Sequence, residues 1–317
     1  MLGELPSWFL TPVAVTLGLL WGSFLNVVIY RVPRDMSVAR PPSSCASCGT
    51  RIKPYDNIPV LSWLLLRGRA RCCGARISPR YPIVELIGGA VGLATLEVVL
   101  HTFTPDTPIL RAAAVFVADF GLALALVAAA FIDAEHMYIP DAITLGGTVL
   151  GIATATLRGG SLRESLVGAI VGFVGVWLPF IVLYSRIRGR TGMGLGDAKL
   201  LMLAGAWFGW EGAVFVLCAA AAQGTLAAVA IYLIAGKIEE PEAVRKDREE
   251  LKEAAAAGDS EAAEILALDP LGEEPAATGL GLSRFPFGPF LALACLETLF
   301  AKEWIFEAIA RLLGSPL

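Results

Sequence analysis

Residues 122–133 read LALALVAAAFID and run on into AEHMYIPD, which closes at Asp141. An uncharged apolar run that ends in an aspartate suits a membrane helix whose last turn carries an ionisable group, and such groups at membrane depth are functional hypotheses by default. A second stretch repeats the theme. GMGLGDAKL at 192–200 places three alternating glycines before Asp197, and the apolar AKLLMLAG follows. Both aspartates stand at the edge of an apolar segment, so the chain is read outward from them.

The 317 residues are 56% hydrophobic and 17% charged, with a mean hydropathy of +0.67. That balance excludes an ordinary soluble protein and any basic nucleic-acid binder, and it predicts an all-α integral membrane protein. Apolar runs at 8–30, 81–101, 112–132, 143–158, 165–184, 198–211, 213–235 and 286–300 predict about eight transmembrane helices, each near the 20 residues a bilayer requires. Met1–Pro12 lacks a basic start, and its apolar run outlasts a signal peptide, so the first span is expected to remain as an anchor.

Basic residues concentrate after the first span, at Arg31, Arg34, Arg40, Arg51, Lys53, Arg67, Arg69, Arg71, Arg76 and Arg80, while 102–111 holds only Arg111. Short cytosolic loops carry the Lys/Arg excess, so the N-terminus is predicted outside and 31–80 in the cytosol, together with 133–142, 185–197 and 237–284. This threading puts Asp133 and Asp197 on one membrane face. The expected organisation is a first span at 1–30, a module at 31–80, a membrane domain at 81–236, an acidic insertion at 237–284 and a last span with its tail at 285–317.

The 31–80 module is too short to build a strong core without a staple. Cys45 and Cys48 form a CxxC, and Cys72 with Cys73 follows later in the module, which in a reducing compartment points to a zinc-ribbon-like site before a disulfide. The adjacent pair departs from the usual two-knuckle spacing. Cys45, Cys48, Cys72 and Cys73 are the candidate ligands, the alternatives being a three-thiolate site built on Cys45, Cys48 and Cys73, or no metal. Cys218 and Cys295 fall inside apolar runs and read as packing. The insertion begins with the Ala/Glu/Lys-rich KIEEPEAVRKDREELKEAAAAG, expected to be a solvated helix, and ends near the Pro/Gly-rich PLGEEPAATGLGLSR, expected to be linker. An acidic docking surface for basic peptides is the alternative reading of this tract.

Two aspartates near one water can hydrolyse a peptide bond without metal: the ionised carboxylate takes the water's proton while the protonated one polarises the carbonyl, and like charges at close range enforce that split. Glycines 192, 194 and 196 would let backbone and substrate approach Asp197 closely. The plainer readings are that Asp197 caps a helix and that Asp133 snorkels at a helix end. Asp141, after Ile139-Pro140, reads as the start of the next helix. His101 and His136 are too far apart to build a metallohydrolase, and neither GxSxG nor HExxH occurs.

GSFLNVVIYRVP at 22–33, RPPSSCASCG at 40–49, NIPVLSWLLLRGR at 57–69, RYPIVEL at 80–86, FIDAEHMYIPD at 131–141, GMGLGDAKL at 192–200 and PFGPFLAL at 286–293 resemble, in order and content, the prepilin peptidases of the membrane GxGD aspartic protease group. The resemblance implies that Asp133 and Asp197 are the catalytic pair, with Gly192, Gly194, Gly196 and Lys199 as their supporting motif. It also implies a bifunctional enzyme of the bacterial inner membrane. Such an enzyme cuts the basic leader of type IV prepilins or type II secretion pseudopilins after a glycine on the cytosolic side, then methylates the new N-terminus with S-adenosylmethionine. Gly22, Asn26 and Arg31 are the candidates for the methyl-transfer region. The family's second CxxC would place a cysteine at Ala70, and this chain has Cys72 instead; the 237–284 tract is also longer than the resemblance leads one to expect. A peptidase without methylation, or a noncatalytic membrane scaffold or transporter with a zinc ribbon, are the competing readings; oligomeric state is not legible.

Overall fold

The computed structural model describes residues 1–189, 192–236, 241–267 and 285–312. Among these the chain is helical throughout its apolar runs, with no β-strand beyond two isolated bridges. In order, the α-helices are α1 (Ser7–Arg31), α2 (Leu61–Leu65), α3 (Arg80–Thr102), α4 (Ile109–His136), α5 (Asp141–Thr154), α6 (Leu162–Val176), α7 (Tyr184–Arg188), α8 (Leu195–Ala235), α9 (Glu242–Ala256), α10 (Ser260–Ala267) and α11 (Gly288–Leu312). A π-helical stretch, Trp177–Leu183, joins α6 to α7. It contains Pro179, which cannot donate to the ordinary ladder and is a known cause of such local rewinding.

Among the described residues, five helical runs are long and apolar enough to cross a membrane: Ser7–Arg34, Arg80–Thr102, Ile109–His136, Leu162–Arg188 and Leu195–Ala235. Asp141–Thr154 is a shorter apolar helix, and α11 covers the last apolar run. The expected runs 198–211 and 213–235 both fall within α8, as two helices that meet at a kink. The axis breaks at Gly209, whose φ of +75° is open to glycine at no steric cost.

Two compact units can be distinguished. The first comprises Met1–Ala128, Ala153–Gly160 and Leu299–Leu317, and the second Ala129–Ile152 and Ser161–Thr298. In the first, α1 and α3 lie against each other through small residues: a Cβ on Gly18 would strike the backbone of Gly88, and one on Gly22 would sit 2.8 Å from Glu85 Cα. In the second, α6 meets α8 in the same manner, with Gly168 against Gly205 and Gly172 against the Leu201 carbonyl. Lipid offers little hydrophobic drive between helices, so close backbone packing at glycines takes over that role. Polar ties reinforce the second unit: Ser165 Oγ donates to the Ala206 carbonyl at 2.6 Å, and Trp207 Nε1 donates to the Gly147 carbonyl at 2.8 Å. A capping box at Ser161 and Glu164 starts α6.

The first part of the acidic tract is helical, as α9 and α10. Its ends at 237–240 and 268–284, including the expected linker, and the tail at 313–317 lie outside the described residues.

The glycine contacts generate a prediction. Gly168→Leu is expected to lower the thermal midpoint of the detergent-solubilised protein by at least about 2 °C, since overpacking costs about 1–3 kcal/mol. Gly175→Ala, where an added Cβ meets nothing within 4 Å, should leave the midpoint unchanged. Equal midpoints for both variants would show that the α6–α8 approach does not hold the unit.

Candidate active site and cysteine cluster

Asp133 lies near the end of α4 and is only 5% exposed. It does not snorkel into solvent. Its Oδ2 accepts a 2.9 Å hydrogen bond from the Gly288 backbone N–H, just where α11 begins. Gly288 allows this because it has no side chain: a Cβ there would sit 2.7 Å from the same Oδ2.

Asp197 occupies the first turn of α8. The helix starts earlier than the sequence suggests, at Leu195, so Asp197 is its third residue rather than its cap, and its Oδ2 accepts from the Gly194 N–H at 3.1 Å. That bond is the helix-capping contact anticipated as the plainer reading. It coexists with a second relation, for Asp197 and Asp133 are near enough that their charges act on one another. The structure thus gathers the two boundary aspartates into one place within the second unit.

The glycines contribute by what they omit. None of Gly192, Gly194 and Gly196 takes a left-handed backbone, so backbone conformation is not why they are glycine. Side chains there would crowd neighbours: a Cβ on Gly192 would press on the Tyr184 ring at 3.2 Å, one on Gly194 on Asp197 Oδ2 at 3.3 Å, and one on Gly196 on Ile139 at 3.3 Å. Lys199 turns to Asp141 rather than to Asp197, with Nζ 2.6 and 2.8 Å from its two carboxylate oxygens. Asp141 is indeed the first residue of α5. Its pairing with Lys199 ties that helix start to the second turn of α8, a role the sequence did not disclose.

In the first unit, the segment between α1 and α3 contains two knuckles of the same construction. Gly49 N–H donates to the Cys45 carbonyl and Ile52 N–H to the Ser43 carbonyl; in the second knuckle Gly74 N–H donates to Ala70 and Ile77 N–H to Gly68. The bridges Ser44–Arg51 and Arg69–Arg76 close the two loops, and Gly49 and Gly74 both take φ near +70°. By this correspondence Ala70 occupies the place of Cys45, and Cys73 that of Cys48. Cys72 supplies the missing sulfur from two residues further on.

All four thiols still converge. Their sulfurs lie within 4.8 Å of one another, with Cys48–Cys72 at 3.3 Å, Cys45–Cys73 at 3.7 Å and Cys72–Cys73 at 3.9 Å. A tetrahedral site with Zn–S bonds of about 2.3 Å places its sulfurs roughly 3.8 Å apart, so the cluster fits one such ion. Adjacency does not keep Cys72 and Cys73 from facing one point. The thiols are electrostatically unequal: the Thr50 hydroxyl, 3.3 Å away, and the Thr50 backbone draw Cys48 down to about 6, while the neighbouring Cys48 pushes Cys72 up to about 12.

Gly22, Asn26 and Arg31 make structural contacts. Gly22 meets α3, Asn26 Nδ2 donates to the Tyr81 carbonyl at 3.1 Å, and the Arg31 guanidinium donates to the carbonyls of Ser37 and Pro41 at 2.8 and 2.7 Å. These contacts join α1 to α3 and to the loop that follows α1. Sequence reasoning passed over Gly288, which only the fold brings to Asp133, although it sits inside PFGPFLAL. It also passed over Glu85, whose Oε2 accepts from the Val60 N–H at 2.6 Å, and over Asp119, a carboxylate buried to 5% exposure in α4 within reach of the Arg158 charge.

A multi-span helical membrane protein with a paired-aspartate site and a four-cysteine module is thereby defined. Residues 16–99 match the bacterial peptidase A24 N-terminal domain, and 120–229 match the type IV leader peptidase family. The chain is similar to the prepilin leader peptidase/N-methyltransferase of Myxococcus xanthus (strain DK1622), with 36% identity across 98% of both chains. It also resembles the proteins of that description from Neisseria gonorrhoeae (34% identity; 73% of this chain, 85% of the relative) and Dickeya chrysanthemi (39%; 62% and 73%). No solved structure matches. The chain belongs to the type IV leader peptidase family.

The Asp133–Gly288 contact can be measured. Gly288→Ala is expected to destabilise the protein by about 1–3 kcal/mol, because the methyl group drives into the carboxyl it must flank. In an Asp133→Ala background most of that cost should vanish, giving a coupling above about 0.5 kcal/mol in a double-mutant cycle of thermal unfolding. Additive effects would show that the two residues do not touch in solution.

Proposed function

We propose that this chain is a prepilin peptidase that removes the basic leader of type IV prepilins or type II secretion pseudopilins after a glycine, and that it then methylates the new N-terminal amine using S-adenosylmethionine. The observation that carries the peptidase reading is the meeting of Asp133 and Asp197 in one partly dry place. Each is held by a backbone N–H through Oδ2, which leaves Oδ1 to meet a water. With one carboxylate ionised and the other protonated, the first takes the water's proton as the oxygen attacks the scissile carbonyl, and the second donates to the developing oxyanion. As the tetrahedral intermediate collapses, the proton taken from water passes to the leaving amine. Backbone donors do not titrate, so they orient the pair without disturbing its proton.

In this reading the N-terminus lies outside, and both the aspartates and the 31–80 module face the cytosol of a bacterial inner membrane; the Lys/Arg distribution supports it. Cys45, Cys48, Cys72 and Cys73 hold one zinc ion, which serves as a structural staple for a module that buries little of itself. Methylation is assigned from the activity named for the similar relatives, and no step of it is assigned to Gly22, Asn26 or Arg31.

Asp133→Asn and Asp197→Asn are each expected to lower cleavage of a prepilin substrate by at least about 10²–10⁴-fold, since Asn keeps the shape but can neither accept nor share the proton. Insertion in the membrane and methylation of a pre-cut substrate should survive. Near wild-type cleavage by either variant, with folding verified, would reduce that aspartate to a structural group.

Elemental analysis of purified protein is expected to find about one zinc per chain, lost together with the module's protease resistance on joint replacement of Cys45 and Cys48 by Ser. Metal-free wild type with an intact module would remove the staple.

A further inference from the structure

The second knuckle carries a charge problem that the first does not. At the bridge closing the first knuckle, Ser44 faces Arg51; at the bridge closing the second, Arg69 faces Arg76. Like charges directly opposite each other are destabilising unless something neutralises them. Arg71, nearby, has its own neutraliser in Asp56, which it grips in a bidentate pair at 2.8–3.0 Å. Arg67, Arg69 and Arg76 have no ion pair among the described residues, and all three are exposed.

These three arginines line one cleft of about 480 Å³, with Trp63 and Ser78 also on its wall. The cleft is held in shape. Trp63 Nε1 donates to the Ile77 carbonyl at 3.1 Å, the Trp63 ring lies where a Cβ on Gly68 would meet it at 3.1 Å, and Arg67 and Gly68 both take left-handed backbone. Three fixed guanidinium-bearing positions around a hollow call for an anion, and the guanidinium fork suits phosphate oxygens in particular.

The surroundings indicate which anion. The short helix α2, which leads directly into Arg67, exposes Leu61, Leu64 and Leu65, the last two to 58% and 73%. Immediately after the cleft, Arg80 opens α3, one of the helices able to cross the membrane. Exposed apolar side chains and unpaired arginines on one segment, joined without a linker to a membrane span, form the pattern of a surface that lies on anionic lipid.

We propose that the cleft of Arg67, Arg69 and Arg76 binds the phosphate headgroup of an anionic phospholipid while Leu61, Leu64 and Leu65 enter the interface, so that the cysteine module rests on the bilayer beside α3. The proposal is independent of the peptidase reading, because its measurement is lipid retention.

The test is native mass spectrometry of the full chain in neutral detergent, with phosphatidylglycerol and phosphatidylcholine of identical acyl chains supplied together. Wild type is expected to retain phosphatidylglycerol preferentially. Each single Arg→Gln change should weaken retention about fivefold, the contribution of one basic residue near an anionic surface, and the triple change roughly a hundredfold, as three such factors multiply. The single variants keep the test decisive if the triple variant misfolds. Equal retention of both lipids by wild type, or unaltered phosphatidylglycerol retention in the Gln variants, would overturn the proposal. Full displacement by millimolar inorganic phosphate would overturn the lipid assignment in favour of a soluble anion. Gln variants that keep the lipid but need more prepilin for half-maximal cleavage would assign the cleft to substrate instead.

Discussion

The carboxyl of Asp133 is removed from bulk water, and the N–H of Gly288 stands in for part of the solvent it has lost. A buried carboxylate without such a donor would be costly in a membrane setting. The contact binds the end of α4 to the start of α11, although the two are far apart in sequence, and only a residue without a side chain can sit there. Asp197 is secured in the same way by the Gly194 N–H. The site is therefore positioned by main chain and by glycine, with Lys199 and Asp141 fastening the neighbouring helix start. Backbone donors suit this work because they carry no net charge and do not titrate.

Glycine has a second use in the same molecule. Where α1 meets α3 and where α6 meets α8, the absence of side chains brings backbones together, which is how helices gain packing energy when lipid surrounds them. At Gly209 the relevant property is conformational instead, a left-handed residue that lets one long element change direction. The same residue type thus performs three different tasks, and composition alone cannot separate them.

The cysteine module shows how a pattern can change while its geometry persists. The two knuckles repeat hydrogen bond for hydrogen bond, yet a cysteine in the first answers to Ala70 in the second. A sulfur at Cys72, two residues after Ala70, reaches the same centre because the tight turn that ends at Gly74 brings the side chains of its residues to one side. Spacing arguments assume regular knuckles. They left the fourth ligand open here for that reason, and three-dimensional proximity closes the question of which thiols meet.

Hydropathy by itself determined that this is a helical membrane protein, because the apolar runs are long and almost free of charge, and backbone groups in lipid have to be satisfied within a helix. It also singled out Asp133 and Asp197, since an aspartate closing an apolar run is rare enough to notice. Local sequence could not say that Lys199 would pair with Asp141, or that Gly288 would cover Asp133. Those outcomes depend on contacts between residues distant in the chain. Periodicity and motif spacing report which residues share one helix, whereas the partner of a buried carboxylate is decided only when helices pack and a donor, with no side chain in its way, comes within hydrogen-bonding distance.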